Sequence, residues 1–165
     1  MKKIELKDLN VNLPELLEKR WALLAAADGE SCNPMTVSWG GIGRLWNLPV
    51  VTVYVRPRRY TKGLMDAEQY FSLTFLPEEL HDAMALCGSK SGRDMDKVKE
   101  CGLTVMTDEK APYFAQGELT FICRKLYEQD MTGECFVDPA VEEKNYPGKD
   151  YHRMYVGEIV SVLRA

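Results

Sequence analysis

The clearest apolar patterns along this chain are short runs of strand period, set between glycines, prolines and charged turns. Residues 49–55, Pro-Val-Val-Thr-Val-Tyr-Val, are β-branched or aromatic almost throughout and predict a strand. Residues 70–76 predict another, with Phe71, Leu73 and Phe75 on one face. From 116 to 130, Leu119, Phe121 and Cys123 alternate with polar partners, the pattern of a long strand with one exposed face. Met154, Val156, Ile159 and Val162 predict a last strand over 153–163, broken at Gly157.

Helical signals are fewer. Pro77 opens a run with acids in its first turn and Leu80, Ala83 and Met84 on one face, predicting a helix over 77–86 that Cys87-Gly88 ends. A short helix is predicted over 94–100, stopped by Gly102, and one turn over 139–144 inside the loop 138–150. Residues 14–28 divide. Pro14 followed by good helix formers predicts a helical turn to Lys19. Trp21 to Ala27 can continue it, or can form a buried strand entering a turn over 28–30, and a short apolar run does not decide. Five or six antiparallel strands with short helices at their connections predict a mainly β fold, a small barrel with appended helices. Sustained strand–helix alternation, the mark of a parallel α/β sheet, is missing.

At 165 residues the chain fits one domain over 1–165, large enough to bury about two thirds of its unfolded surface. No apolar run approaches the roughly 18 residues of a membrane span. The N-terminus alternates charged and apolar residues without a signal-peptide core, so cytoplasm is the expected location. A net charge of −4 disfavours sequence-independent nucleic-acid binding, which needs a basic footprint. The five cysteines are widely spaced and contain no CxxC, and both histidines sit far from any pair of cysteines. Free thiols are expected, with neither a disulfide framework nor a metal site.

Two stretches stand out against this background. Asn33-Pro34-Met35-Thr36-Val37-Ser38-Trp39-Gly40-Gly41 reads as a polar-edged strand with an aromatic beside two glycines. Arg56-Pro57-Arg58-Arg59-Tyr60-Thr61 concentrates three guanidiniums and two hydroxyls in an otherwise acidic chain. Together they suit a ligand with a planar ring system and a phosphate; a solvated basic turn after a strand is the plainer alternative.

Four stretches carry a resemblance to a known family. Asn33–Gly40 is similar to an N-x-M-T-x-S-W-G strand, and Arg56–Thr61 to an R-x-x-R/K-Y/H-T segment. Residues 87–94, Cys-Gly-Ser-Lys-Ser-Gly-Arg-Asp, resemble an S-G-R-D loop, and His152–Ile159 a closing H-x-x-F-V-G-E-V strand. In this order and spacing, from about residue 20 to the C-terminus, they resemble the flavin reductase-like family, the FMN-binding split β-barrels that include flavoredoxins. The resemblance implies a barrel strand over 21–28, overruling helix propensity there. It also implies a homodimer with FMN near the subunit interface.

Site roles follow from the resemblance together with the chemistry FMN needs. Arg56 and Arg59 are expected at the phosphate, since guanidinium forks match its oxygens in pairs. Tyr60 and Thr61 add hydroxyls, with Thr61 near the start of a short helix. Met35, Thr36, Val37, Ser38 and Trp39 would lie along the ring, with Asn33 offering a side-chain contact; Trp39 reads equally as a core residue. Ser89, Lys90, Ser91 and Arg93 form a cationic, hydroxyl-rich loop, with Lys90 the candidate to stabilise charge on the reduced ring. His152 is the candidate catalytic residue, with a structural histidine as its alternative; His81 is expected on the surface.

Three functions remain open at this point. One is a reductase passing electrons from NADH or NADPH through FMN to a small-molecule or protein acceptor. The second is a flavoredoxin-like carrier without its own nicotinamide chemistry. The third is a non-redox barrel that binds an anion.

Overall fold

The computed structural model describes residues 1–28 and 31–165; Gly29 and Glu30, in the turn expected over 28–30, lie outside the described residues. In chain order the elements are β1 (Lys2–Ile4), α1 (Leu13–Lys19), β2 (Ala22–Asp28), β3 (Ser31–Val37), β4 (Gly40–Leu45), β5 (Leu48–Val55), α2 (Tyr60–Ala67), β6 (Tyr70–Phe75), α3 (His81–Ser89), α4 (Lys97–Glu100), β7 (Val105–Met106), β8 (Tyr113–Phe114), β9 (Leu119–Asp130), α5 (Pro139–Asn145) and β10 (Arg153–Arg164). The strands pair antiparallel in the order β3-β2-β6-β9-β10-β5-β4, with β1 on β10 and β7 with β8 apart. More strands form than the five or six expected, because short strands such as β1 and β7 carry too few residues to show a period. No helix among the described residues is long and apolar enough to cross a membrane.

The sheet curls around one apolar interior. Leu24 and Ala26 of β2, Met35 and Val37 of β3, Val51 and Val53 of β5, Phe71 and Leu73 of β6, Phe121 of β9 and Tyr155 of β10 share this core. Strands from both ends of the pairing order therefore face one another, while no ladder among the described residues joins β3 to β4.

The ambiguous run at 21–27 is a strand. Trp21 adopts φ 57°, a left-handed conformation that ends α1 and redirects the chain. Ala22, Leu24 and Ala26 then point into the barrel, while Leu23 and Ala25 pack outward against Leu76, Met84 and Cys87. Burial on both faces is why this strand reads as a continuous apolar run.

Several details of these elements differ from expectation. Residues 78–80 form a separate 3-10 turn, so α3 starts at His81, and it runs past Cys87-Gly88 to Ser89. The helix expected over 94–100 is confined to α4, because the Asp96 carboxylate accepts from the Lys99 amide and caps it there. β9 is buried on both faces from Leu119 to Cys123 and opens to solvent only from Tyr127 onward. Its outer face is covered there by Ala111 and Tyr113, which pack on Ile122. β10 is continuous through Gly157, where the register against β9 shifts. A Cβ at 157 would lie 2.6 Å from the Phe71 ring, so glycine makes room for a core aromatic at the bulge.

The β4–β5 hairpin had no expectation. Trp46 and Asn47, both at positive φ, make its two-residue turn between the paired Leu45 and Leu48. The strand expected to reach Trp39 ends at Val37, and Ser38 and Trp39 form the corner between β3 and β4.

Candidate functional site

The edge strand β3, the start of α2 and the loop after α3 converge on one groove. Its middle is a cleft of about 280 Å³ bounded by Asn33, Met35, Tyr60, Thr61 and the segment Gly88–Gly92. It shares Met35, Arg58 and Arg59 with a cleft of about 200 Å³ that adds Thr36, Val37, Ser38, Trp39, Tyr54, Arg56 and His152. On its other side it shares Asn33, Tyr60, Gly92 and Lys97 with a wider cleft of about 700 Å³ that includes Arg93. The four stretches singled out in the sequence thus meet at one place, although they lie far apart along the chain.

The cations of this groove are not equivalent. Arg56 is committed: it pairs with Asp150, donates to the carbonyl of Asn145 at 2.8 Å and lies over the Tyr146 ring at 5.1 Å. Arg59, the residue that precedes α2, donates to the carbonyl of Gly88 at 2.6 Å. Burial, followed by repulsion from Arg58 and Arg56, holds its guanidinium below its ordinary value. Lys97 is only 3% exposed. Its ammonium donates to the carbonyls of Cys87 at 3.3 Å and Lys90 at 3.5 Å, and burial lowers its pKa. Ion pairs among the described residues engage Arg56 and Arg58 but not Arg59, Lys90, Arg93 or Lys97. Of these, Arg59 is half-buried and Lys97 buried, and cations so placed without carboxylates are costly unless an anion joins them.

The polar walls are ordered. Asn33, buried at the β3 edge, donates to the Thr61 hydroxyl at 2.6 Å and so ties β3 to the first turn of α2. Thr36 donates to the carbonyl of Met84 at 2.5 Å, fastening β3 to α3. Ser89 bonds back to the carbonyls of Ala85 and Leu86, and Ser91 accepts from the Arg93 amide at 3.2 Å. Arg93 lies over the Tyr60 ring at 5.3 Å and donates to the Arg58 carbonyl, closing the loop against α2. Gly92 is required by this closeness: a Cβ there would lie 2.0 Å from Asn33 Oδ1 and 2.8 Å from the Tyr60 ring. Lys90 is exposed at the rim.

At the other end, His152 is buried beside Trp39, their rings 5.1 Å apart. Its Nδ1 lies 2.8 Å from Tyr146 Oη. Burial, then the Arg56 charge, lowers the His152 pKa to about 4, so the imidazole is neutral at neutral pH. Burial raises that of Tyr146, which keeps its proton. Trp39 is 47% exposed and is not a core residue. His81 is exposed, stacked on Trp21 at 4.8 Å and away from the groove.

Lys97, Arg58, Tyr54, Tyr146 and Asp150 were missed as candidates. Lys97 sits among alternating charges that look like a solvated helix, and only the packing of α4 on β3 reveals its burial. Arg58 stood inside the basic run, where alternation with its neighbours carried no distinguishing signal. Tyr146 meets His152 and Arg56, and Asp150 pairs with Arg56, across the fold, which no local spacing displays.

The flavin reductase like domain family matches residues 17–165. Among solved structures, the chain is similar to flavoredoxin from Methanosarcina acetivorans, at 22% identity and TM-score 0.71, covering 88% of this chain and 68% of that one. It is also similar to an FMN-binding protein from Thermus thermophilus, at 20% identity and TM-score 0.70, over 99% of this chain and 80% of that one. Flavoredoxin of Desulfovibrio vulgaris (Miyazaki F) aligns at 20% identity and TM-score 0.68, over 88% and 69%. A search of curated proteins finds no match. At these identities the structures establish the mainly antiparallel split-barrel fold, as expected from the sequence. The family match extends over nearly the whole length, and the chain belongs to the flavin reductase-like domain family.

Proposed function

We propose that this chain binds FMN in the groove and passes electrons from NADH or NADPH through it to a small-molecule or protein acceptor. The observation that carries this reading is the set of cations at the Gly88–Gly92 loop, led by Arg59 and buried Lys97, with no carboxylate among the described residues paired to them. A phosphate dianion supplies the missing charge. FMN, when bound, supplies a two-electron centre able to accept hydride from a nicotinamide.

The residues present fit that group. Arg59, Lys97 and the first amides of α2 would hold the phosphate, with Tyr60, Thr61, Ser89, Lys90, Ser91 and Arg93 around it. β3 is an edge strand, so those of its backbone groups that β2 does not use are free to meet the polar edge of a planar ring. Trp39 and His152 would wall the ring, and neutral His152 would orient ligand by hydrogen bonding without adding charge. Arg56 would act mainly by fixing Tyr146 and so His152.

The flavoredoxin-like carrier is the second reading, favoured by the family's structures that bear that name. A homodimer accords with the family resemblance and with exposed Trp46, whose ring meets Tyr127 on the outside of the sheet. Stopped-flow mixing of the FMN-loaded protein with NADH or NADPH decides between the two. Rapid bleaching supports the reductase; no bleaching on the catalytic timescale leaves the carrier.

A further inference from the structure

Five free cysteines are distributed through the chain, and two of them meet. Cys87, on the last full turn of α3, has its sulfur 3.8 Å from that of Cys101, which ends α4. We propose that Cys87 and Cys101 form a reversible disulfide that staples the loop carrying the glycines, serines and Lys90 of the groove.

The position of the pair gives the bond a consequence. The two cysteines are 14 positions apart, and the chain between them contains Gly88, Ser89, Lys90, Ser91, Gly92 and Lys97. Joining them closes that segment into a ring. Both helices already pack against one apolar cluster with Leu76, Met84 and Phe114, so the sulfurs approach within a fixed frame. A disulfide needs about 2.05 Å between sulfurs, a movement of less than about 2 Å from the reduced pair.

The two thiols differ in access, which sets the order of events. Cys87 is fully buried, and burial pushes its thiol up to about 12. Cys101 is half-buried and reaches solvent. With hydrogen peroxide as oxidant, the Cys101 thiolate attacks one peroxide oxygen, the O–O bond breaks, and water leaves after protonation. The Cys87 sulfur then attacks the Cys101 sulfenic sulfur and releases a second water, so two thiols and one peroxide give one disulfide and two waters. Cys123 is buried in the barrel and Cys135 lies on the surface at residues 133–135, where neither reaches this pair. Cys32 packs against the same cluster and is the competitor to exclude.

The test uses the reduced full-length chain treated with hydrogen peroxide, quenched with N-ethylmaleimide and mapped by peptide mass. The expected result is a Cys87–Cys101 cross-linked peptide, reversed by dithiothreitol, retained in Cys32→Ser and lost in Cys101→Ser. Alkylation of both residues after oxidation, or a link from Cys32 instead, overturns the pairing. Hydrogen exchange without ligand reads the staple: amides of residues 88–96 should exchange several-fold more slowly when oxidised, and unchanged exchange overturns it. The effect on ligand rests on the proposed FMN site, and there FMN should dissociate several-fold more slowly from the oxidised protein. A chain that cross-links and stiffens yet binds no FMN would refute the FMN reading alone.

Discussion

The guanidinium of Arg59 donates to the carbonyl of Gly88 at 2.6 Å, joining the residue before α2 to the end of α3 across the mouth of the groove. This bond fixes one cation where burial and two neighbouring arginines make its charge costly. An anion held there relieves that cost.

Arg59→Ala should therefore weaken FMN about tenfold or more, given roughly 1.5–3 kcal/mol for a charge-assisted hydrogen bond. Fluorescence titration of FMN measures it. Arg56→Ala should behave differently. It strips Asp150 and Tyr146 of their partner and should lower stability by about 1–3 kcal/mol, with a smaller effect on FMN. Equal losses of FMN affinity in both variants would contradict this division.

Gly92→Ala should disturb the loop rather than the fold. Its methyl would press on Asn33 and Tyr60, forcing the 88–94 segment outward. FMN affinity should fall several-fold while the melting temperature stays within a few degrees of the parent. A large drop in melting temperature with unchanged affinity would place the glycine's role in the core instead.

Gly157→Ala probes the interior. A Cβ at this bulge meets the Phe71 ring at 2.6 Å and Cys123 at 3.0 Å. Overpacking of this kind costs about 1–3 kcal/mol, readable as a lower urea midpoint at unchanged slope.

His152 gives a pH dependence. Its folded pKa is lowered to about 4 against an ordinary 6.5, so between these values the unfolded chain binds more protons than the folded one. Stability contributed by the neutral ring is present above pH 6.5 and is lost as pH falls toward 4, by up to about 3 kcal/mol at 1.36 kcal/mol per unit. His152→Gln should flatten this part of the curve in urea titrations taken from pH 7 to 4. An unchanged slope in the variant would assign the acid sensitivity to other groups.

Much of the fold was legible because its strands are rich in β-branched and aromatic residues and are bounded by glycines, prolines and charged turns. Residues 49–55 and 70–76 became β5 and β6 within a residue at each end. The exceptions have physical causes. β2 is buried on both faces, so Trp21 to Ala27 lacked a period and its strand followed from resemblance. The β4–β5 hairpin turns on Trp46 and Asn47 at positive φ, where the usual glycine signal is missing. In the site, the residues read from Asn33–Trp39, Arg56–Thr61, Ser89–Arg93 and His152 all line the groove. The distinction between Arg56, which holds a carboxylate, and Arg59, which pairs with none among the described residues, was invisible, because it depends on Asp150, 94 positions from Arg56. Lys97 was hidden for the same reason: its burial is made by the packing of α4 on β3, and the charges of Asp94, Asp96, Lys99 and Glu100 around it read as a solvated helix.

The central claim is that Arg59 and Lys97, which pair with no carboxylate among the described residues, hold a phosphorylated flavin. Calorimetric titration of the ligand-free protein with FMN and with riboflavin, which lacks the phosphate, tests it most directly. FMN should bind at least about tenfold more tightly than riboflavin, with the difference shrinking in Arg59→Ala. Failure to bind FMN, or equal affinity for the two flavins, would contradict the account.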